Sequence, residues 1–249
     1  PESLPQHHRS PLSLKKASPF TAFKALNQLE GMGPLVLILA LSGLAQFTLH
    51  TTWVLYTQMK FGWGPLENGL SLFTVGLMSV IVQGGLMGRL SASFGARRLA
   101  IVGLISSAAC YLAWGLAWEG WMMYAIVVLN VLGFTAQPAM QSLISNSVPA
   151  QVQGQTMGAV AAVNSLMAAF APLVGPSLLV WVGHLPQGDW RIGAPYFLCA
   201  ALQLAASVLV WRHVRQSPMP MSSLVGVREP SGAARATPSD ESTVSASTH

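Results

Sequence analysis

Apolar residues in this chain gather into six runs, at about residues 33–56, 66–87, 99–117, 121–144, 157–182 and 194–211, separated by short polar segments. A helix rising about 1.5 Å per residue needs roughly 20 apolar residues to cover a hydrocarbon core about 30 Å thick, and each run has about that length. The centre of every run is free of Asp, Glu, Lys and Arg, in keeping with the cost of an ionised group in lipid. Short strands of alternating polarity, the mark of a membrane β-barrel, are missing from the pattern. Lipid admits only helices and closed barrels, so the pattern predicts an all-α membrane protein. Its core is a bundle of six transmembrane helices over 33–213, between a linker at 1–32 and a disordered Ser/Pro/Thr-rich tail at 214–249.

Polar positions inside the runs fall on faces. Gln46, His50, Trp53 and Thr57 repeat at intervals of four, three and four, Ser79 and Gln83 stand one turn apart, and Asn130, Gln137 and Gln141 are spaced by seven and four. At about 100° per residue each set forms one narrow stripe. Uncharged hydrogen-bonding groups beside an aromatic ring suit a cavity for an amphipathic organic molecule, and the same stripes also suit hydrogen bonds between packed helices. Val127, off the stripe, is expected to face lipid. Pro138, Pro172, Gly175 and Pro176 are expected to break the fourth and fifth runs, because each proline removes a backbone donor. Gly158, Ala162, Ala169 and Gly175 offer small surfaces for close helix packing.

Composition supports the membrane assignment: 52% of residues are hydrophobic and 8% charged, against about 25% charged in a soluble domain. The net charge of +5 comes from cations at particular segments. Arg9, Lys15, Lys16 and Lys24 precede the first run, Arg89, Arg97 and Arg98 lie between the second and third, and Arg212, Arg215, Arg228 and Arg235 follow the sixth. Lys60 and Arg191 fall on the other side, where the sequence sets them beside Glu67 and Asp189. Cytoplasmic segments are enriched in Lys and Arg, so both termini and the segment between runs two and three are expected in the cytoplasm. No basic run interleaves with aromatics, and no nucleic-acid surface is expected. Cys110 and Cys199 lie inside apolar runs without a cluster of His, Asp or Glu, so neither a disulfide, a metal site nor a cofactor is expected. Glu119 and Asp189 lie in separate short loops, which leaves no catalytic constellation for a membrane enzyme. The start at Pro1, without Met or signal sequence, reads as a piece of a longer chain.

Several segments resemble a known family. Thr52-Trp53-Val54-Leu55-Tyr56-Thr57, Phe61-Gly62-Trp63, Gly69-Leu70-Ser71-Leu72, Pro138-Ala139-Met140-Gln141, Gly154-Gln155 and Gly175-Pro176 resemble, in order and spacing, the C-terminal half of the tetracycline-resistance branch of the major facilitator superfamily. The resemblance covers about residues 34–212. It implies the second half of a twelve-span, proton-driven drug exporter of the bacterial inner membrane, whose partners are a small-molecule substrate, protons, the bilayer and an N-terminal six-span half. The superfamily's signature loop has a degenerate copy at 88–98. Gly88, Arg89, Gly95, Arg97 and Arg98 are its glycines and arginines, while Ala92 and Ser93 stand where the acidic and first basic residues belong. The resemblance makes this stretch a cytoplasmic gate loop reduced to a partial latch; plain orientation marking explains the arginines equally well.

A further departure concerns protons. The resemblance places a His in the second span and an Asp in the third near Ser79 and Ser107, so both titratable groups are replaced. His50 is then the one ionisable side chain expected inside a span, either as a structural hydrogen-bonding residue or as a group that follows pH. Alternatives to drug export are a facilitator of sugars or metabolites and a membrane assembly subunit without transport.

Overall fold

A computed structural model describes residues 33–146 and 150–216, and the described residues form helices joined by short connections. Helix α1 spans Gly33–Phe61 and α2 spans Pro65–Val80, continuing without interruption through a π-helical turn, Ile81–Leu86. Helix α3 is Met87–Leu116 and α4 is Gly120–Leu129. A short 3-10 turn, Gly133–Thr135, leads into α5, Ala136–Asn146. Helix α6 is Ala150–Val182, and a second 3-10 turn, Trp190–Gly193, precedes α7, Ala194–Gln216. The expected linker at 1–32 and nearly all of the expected tail lie outside the described residues; at the tail's start, α7 runs three residues past 213.

Among the described residues four helical stretches are long and apolar enough to cross a membrane, and five when the bent pair α4–α5 is taken as one. The expected six runs differ from this count at one place. Runs two and three lie on a single stretch, Pro65–Leu116, which is helical by hydrogen bonding except that Gly95 turns to φ 73, ψ 150. That conformation is open to glycine at no steric cost and strained for other residues. The residues of the expected gate loop bracket this kink: Gly88 and Arg89 sit in the first turn of α3, and Arg97 and Arg98 begin the helix beyond Gly95. Arg89 and Arg98 are exposed, whereas Arg97 is half-buried with its Nε lacking a hydrogen bond among the described residues.

The expected helix breaks also move. Helix α6 continues through Pro172 and Pro176. The break in the fourth run lies at Asn130–Gly133, where α4 and α5 bend by 57°. Pro138 falls in the first turn of α5, where a missing backbone donor costs nothing. Gly175 is a packing residue: a side chain there would run into Thr48 and Thr52 of α1. Gly158 and Ala169 are exposed and Ala162 half-buried, so the small-residue stripe packs closely only at Gly175.

Helix α1 packs against α6 and α7, and α3 packs against α7 and α5. Two apolar clusters follow. One gathers Leu35, Leu39, Leu99, Leu104, Ile144, Val160 and Val210; the other gathers Tyr56, Trp114, Met123, Val182, Ile192 and Tyr196. They mark opposite ends of the bundle. Arg89, Arg97 and Arg98 belong to the first end, and Lys60, Asp189 and Arg191 to the second. Val127 joins the second cluster with 1% exposure, so it does not face lipid. Nor is Lys60 paired with Glu67. Its Nζ donates to the Gly115 carbonyl at 2.8 Å, while Glu67 accepts from the Gly64 N–H at 2.9 Å and caps α2. Lys60 is 6% exposed and, like His50, lies on the first candidate span, Pro34–Phe61.

Candidate functional site

Between α1, α2, α3 and the α4–α5 break lies a cavity of about 340 Å³. Seven of the nine residues expected to line one do so: Gln46, His50 and Trp53 from α1, Ser79 and Gln83 from α2 and its π-turn, and Asn130 and Gln137 from the break. Thr57 and Gln141 do not. Thr57 is fully buried and hydrogen-bonded to Asn68 Oδ1 at 2.7 Å, so it ties α1 to α2. Gln141 is exposed one turn beyond Gln137 on the same helix, outside the cavity.

Local sequence explains the shape. Asn competes for backbone groups and ends helices, and Asn130 closes α4 with ψ 33 while its Oδ1 accepts from Ser106 Oγ at 3.0 Å. The Asn130 side chain fills the space that a Cβ at Gly133 would need. Ser107 Oγ donates to the Gly133 carbonyl at 3.4 Å, which serves an acceptor near the break. On the opposite wall the π-turn holds Gln83, whose amide donates to Ser79 Oγ at 2.7 Å. π-Turns widen one helical step and often occur at functional sites.

The floor is aromatic. Trp53 and Trp114 meet edge to face at 5.0 Å, and Tyr111 stacks on Trp114 at 5.9 Å. Trp53 Nε1 donates to Ser71 Oγ at 3.0 Å and Trp114 Nε1 to the Met123 carbonyl at 3.3 Å, so both rings are fixed with their polar atoms used. Tyr111, Trp114, Ser107 and Phe134 line the cavity but belonged to no stripe, since their partners lie on other helices. Ser79 and Ser107 both face this cavity. Among the described residues the lining contains no Asp, Glu, Lys or Arg, so what it offers a molecule is shape, aromatic surface and neutral hydrogen bonds.

A second pocket of about 210 Å³, almost wholly apolar, lies between the end of α6 and the start of α7 around Trp181, Leu185 and Phe197. Cys110 and Cys199 are free thiols in the core, and Cys199 Sγ donates to the Ala45 carbonyl at 3.3 Å.

Comparison with known proteins agrees with this architecture. The chain is 27% identical over 191 residues to the class C tetracycline resistance protein of Escherichia coli, covering 76% of this chain and 48% of that protein. To the class G tetracycline resistance protein of Vibrio anguillarum it is 28% identical over 188 residues, 74% of this chain and 47% of the relative. Human Hippocampus abundant transcript-like protein 1 is 25% identical over 178 residues, 69% of this chain and 35% of the relative. The chain spans about half the length of the bacterial relatives it matches. A family profile matches residues 4–240, nearly the whole sequence, and with the long apolar helices it makes the chain an integral membrane protein of the Major Facilitator Superfamily.

Proposed function

We propose that the chain is the C-terminal half of a twelve-span exporter that expels an amphipathic, drug-like molecule in exchange for protons across a bacterial plasma membrane. The observation that carries this reading is the cavity, where seven neutral or weakly basic polar groups and four aromatic rings surround about 340 Å³ without a fixed charge. Coverage of about half of each bacterial relative supports the half-transporter reading. A stretch of 52 residues would be about 78 Å long as a straight helix, more than twice the hydrocarbon core, so a turn at Gly95 dividing it into spans two and three supports six spans. In this reading Arg89, Arg97 and Arg98 mark the cytoplasmic end, both termini are cytoplasmic, and the N-terminal six-span half closes the cavity.

The test uses the intact transporter. Gln137→Ala should lower export of a tetracycline or dye several-fold at unchanged membrane abundance, as loss of about one hydrogen bond implies, whereas Gln141→Ala should leave it near the parent level. Equal export by the parent and Gln137→Ala would overturn the site. The chain by itself, reconstituted with a pH gradient, should not concentrate the same compounds; clear concentrative uptake would overturn its reading as a half.

A further inference from the structure

Three side chains on one wall of the cavity form a connected line. The Tyr111 hydroxyl of α3 donates to Gln46 Oε1 at 3.0 Å, and Gln46 Nε2 stands 3.1 Å from His50 Nε2. An amide nitrogen only donates, so with its oxygen taken by the tyrosine Gln46 presents an N–H to the imidazole. With the amide in that orientation His50 Nε2 is the acceptor, which calls for the neutral ring's hydrogen on Nδ1. A second proton, arriving from cavity water at Nε2, would set N–H against N–H. The amide removes the conflict by turning over: Oε1 then accepts from His50 Nε2–H, and Gln46 Nε2 donates to the Tyr111 oxygen. The Tyr111 O–H stays intact and turns toward the cavity.

We propose that His50 is a proton-binding site and that Gln46 is a two-position switch passing its charge state to Tyr111. Groups facing His50 from the other walls are neutral: Ser79 and Gln83 on α2 and its π-turn, Ser107 on α3, and Asn130 and Gln137 at the break. Tyr111 is the other titratable group on the lining, with the Cys110 and Cys199 thiols close behind it in the core. Lys60, Glu67, Glu119, Asp189 and Arg191 are absent from the lining.

The switch has a consequence for the ligand, which rests on the cavity being the transport site. Unprotonated, the wall offers the Tyr111 oxygen as an acceptor; protonated, it offers a hydroxyl donor and a positive charge. Exchange of ligand for proton requires the ligand to prefer the unprotonated state, and reciprocity then makes each weaken the other. The chemistry that meets this is an organic cation held on the aromatic faces of Trp53, Tyr111 and Trp114.

The chain purified in detergent with 15N-labelled histidine tests the switch by itself. Ring nitrogen spectra over about pH 5 to 8 should show one histidine, absent in His50→Gln, that is locked as the Nδ1–H tautomer when neutral. Gln46→Leu should keep the titration and release the lock, with the Nε2–H tautomer appearing. An Nε2–H tautomer in the unsubstituted chain, or no change on Gln46→Leu, would overturn the proposal; His50 and Gln46 lie outside the packed core, so neither variant threatens the fold. In the intact transporter, tetraphenylphosphonium should bind on the order of tenfold more tightly at the high end of that range, with the difference lost in His50→Gln. Equal binding at both ends would overturn the ligand competition. Absence of binding at every pH would count against the cavity as transport site, leaving the tautomer result as the measure of the switch.

Discussion

Lys60 reaches from the last turn of α1 to the Gly115 carbonyl of α3, with Nζ 2.8 Å from the oxygen. One turn earlier Tyr56 donates to the Trp114 carbonyl at 2.6 Å. Two consecutive carbonyls at the end of α3, where a helix terminus runs short of donors, are thus served by residues four apart on another helix, the Trp114 carbonyl also accepting from the Ala117 N–H at 3.3 Å. A cation at a helix C-terminus is also favoured by the helix dipole. Replacing Lys60 by Met keeps most of the buried volume and strands the carbonyl, at a cost of about 1–3 kcal/mol. Thermal unfolding of the purified chain should show a lower midpoint for Lys60→Met; an unchanged midpoint would mean that water serves Gly115 equally well.

Gly103 of α3 lies against the backbone of the α4–α5 break. A Cβ there would stand 2.9 Å from the Leu132 carbonyl oxygen and 3.0 Å from the backbone N and Cα of Ala136. Backbone atoms cannot swing aside as a side chain does, so Gly103→Ala should destabilise by about 1–3 kcal/mol. It should also displace Asn130 and Gln137 from the cavity wall. Loss of export larger than the loss of folded protein would be the signature, and wild-type stability of Gly103→Ala would contradict the close approach.

Asp189 opens the 3-10 turn before α7 and is held below the usual carboxylate range, first by the Arg191 backbone N–H at 2.8 Å and then by the Arg191 guanidinium. A carboxyl whose folded pKa is depressed contributes stability that is present above its unfolded pKa of about 3.8 and is lost as pH falls through the lower, folded value. Stability should therefore drop on the acid side below about pH 4, and Asp189→Asn should remove that part of the acid limb. Superimposable acid limbs for parent and Asp189→Asn would show that the contact contributes nothing.

Ser93 and Gln187 are both exposed and belong to opposite ends of the bundle. Single cysteines at these positions should react with an impermeant reagent from opposite sides of the membrane, Gln187→Cys from outside intact cells and Ser93→Cys only after lysis. The native Cys110 and Cys199 are buried and should stay silent. Labelling of both engineered sites in intact cells would contradict the orientation.

Much of this protein is legible in its sequence because lipid imposes one simple demand, that a segment be apolar for about 20 residues and satisfy its own backbone. Run length therefore located the apolar helical segments but neither the continuity of Pro65–Leu116 nor the break at Asn130–Gly133, and seven of the polar positions picked out by helical period line the cavity, since period fixes which side chains share a face. What period cannot supply is where a helix bends or which neighbour covers a side chain. The stripe from Asn130 to Gln141 assumed a straight helix, whereas α4 and α5 meet at 57° beside Asn130, Gly133 and Gly103; Asn130 and Gln137 still line the cavity, Gln141 lies exposed outside it and Val127 is packed in the core. Prolines misled for a related reason, because Pro138 fell in a first turn and Pro172 and Pro176 were absorbed by a helix held in place by its neighbours. Tyr111, Trp114 and Lys60 owe their roles to partners about 55 to 65 residues away along the chain, and such pairings arise only when α1 and α3 are brought side by side. Local physics determined where the chain crosses or bends toward a crossing; contacts between helices decided which polar groups face one another.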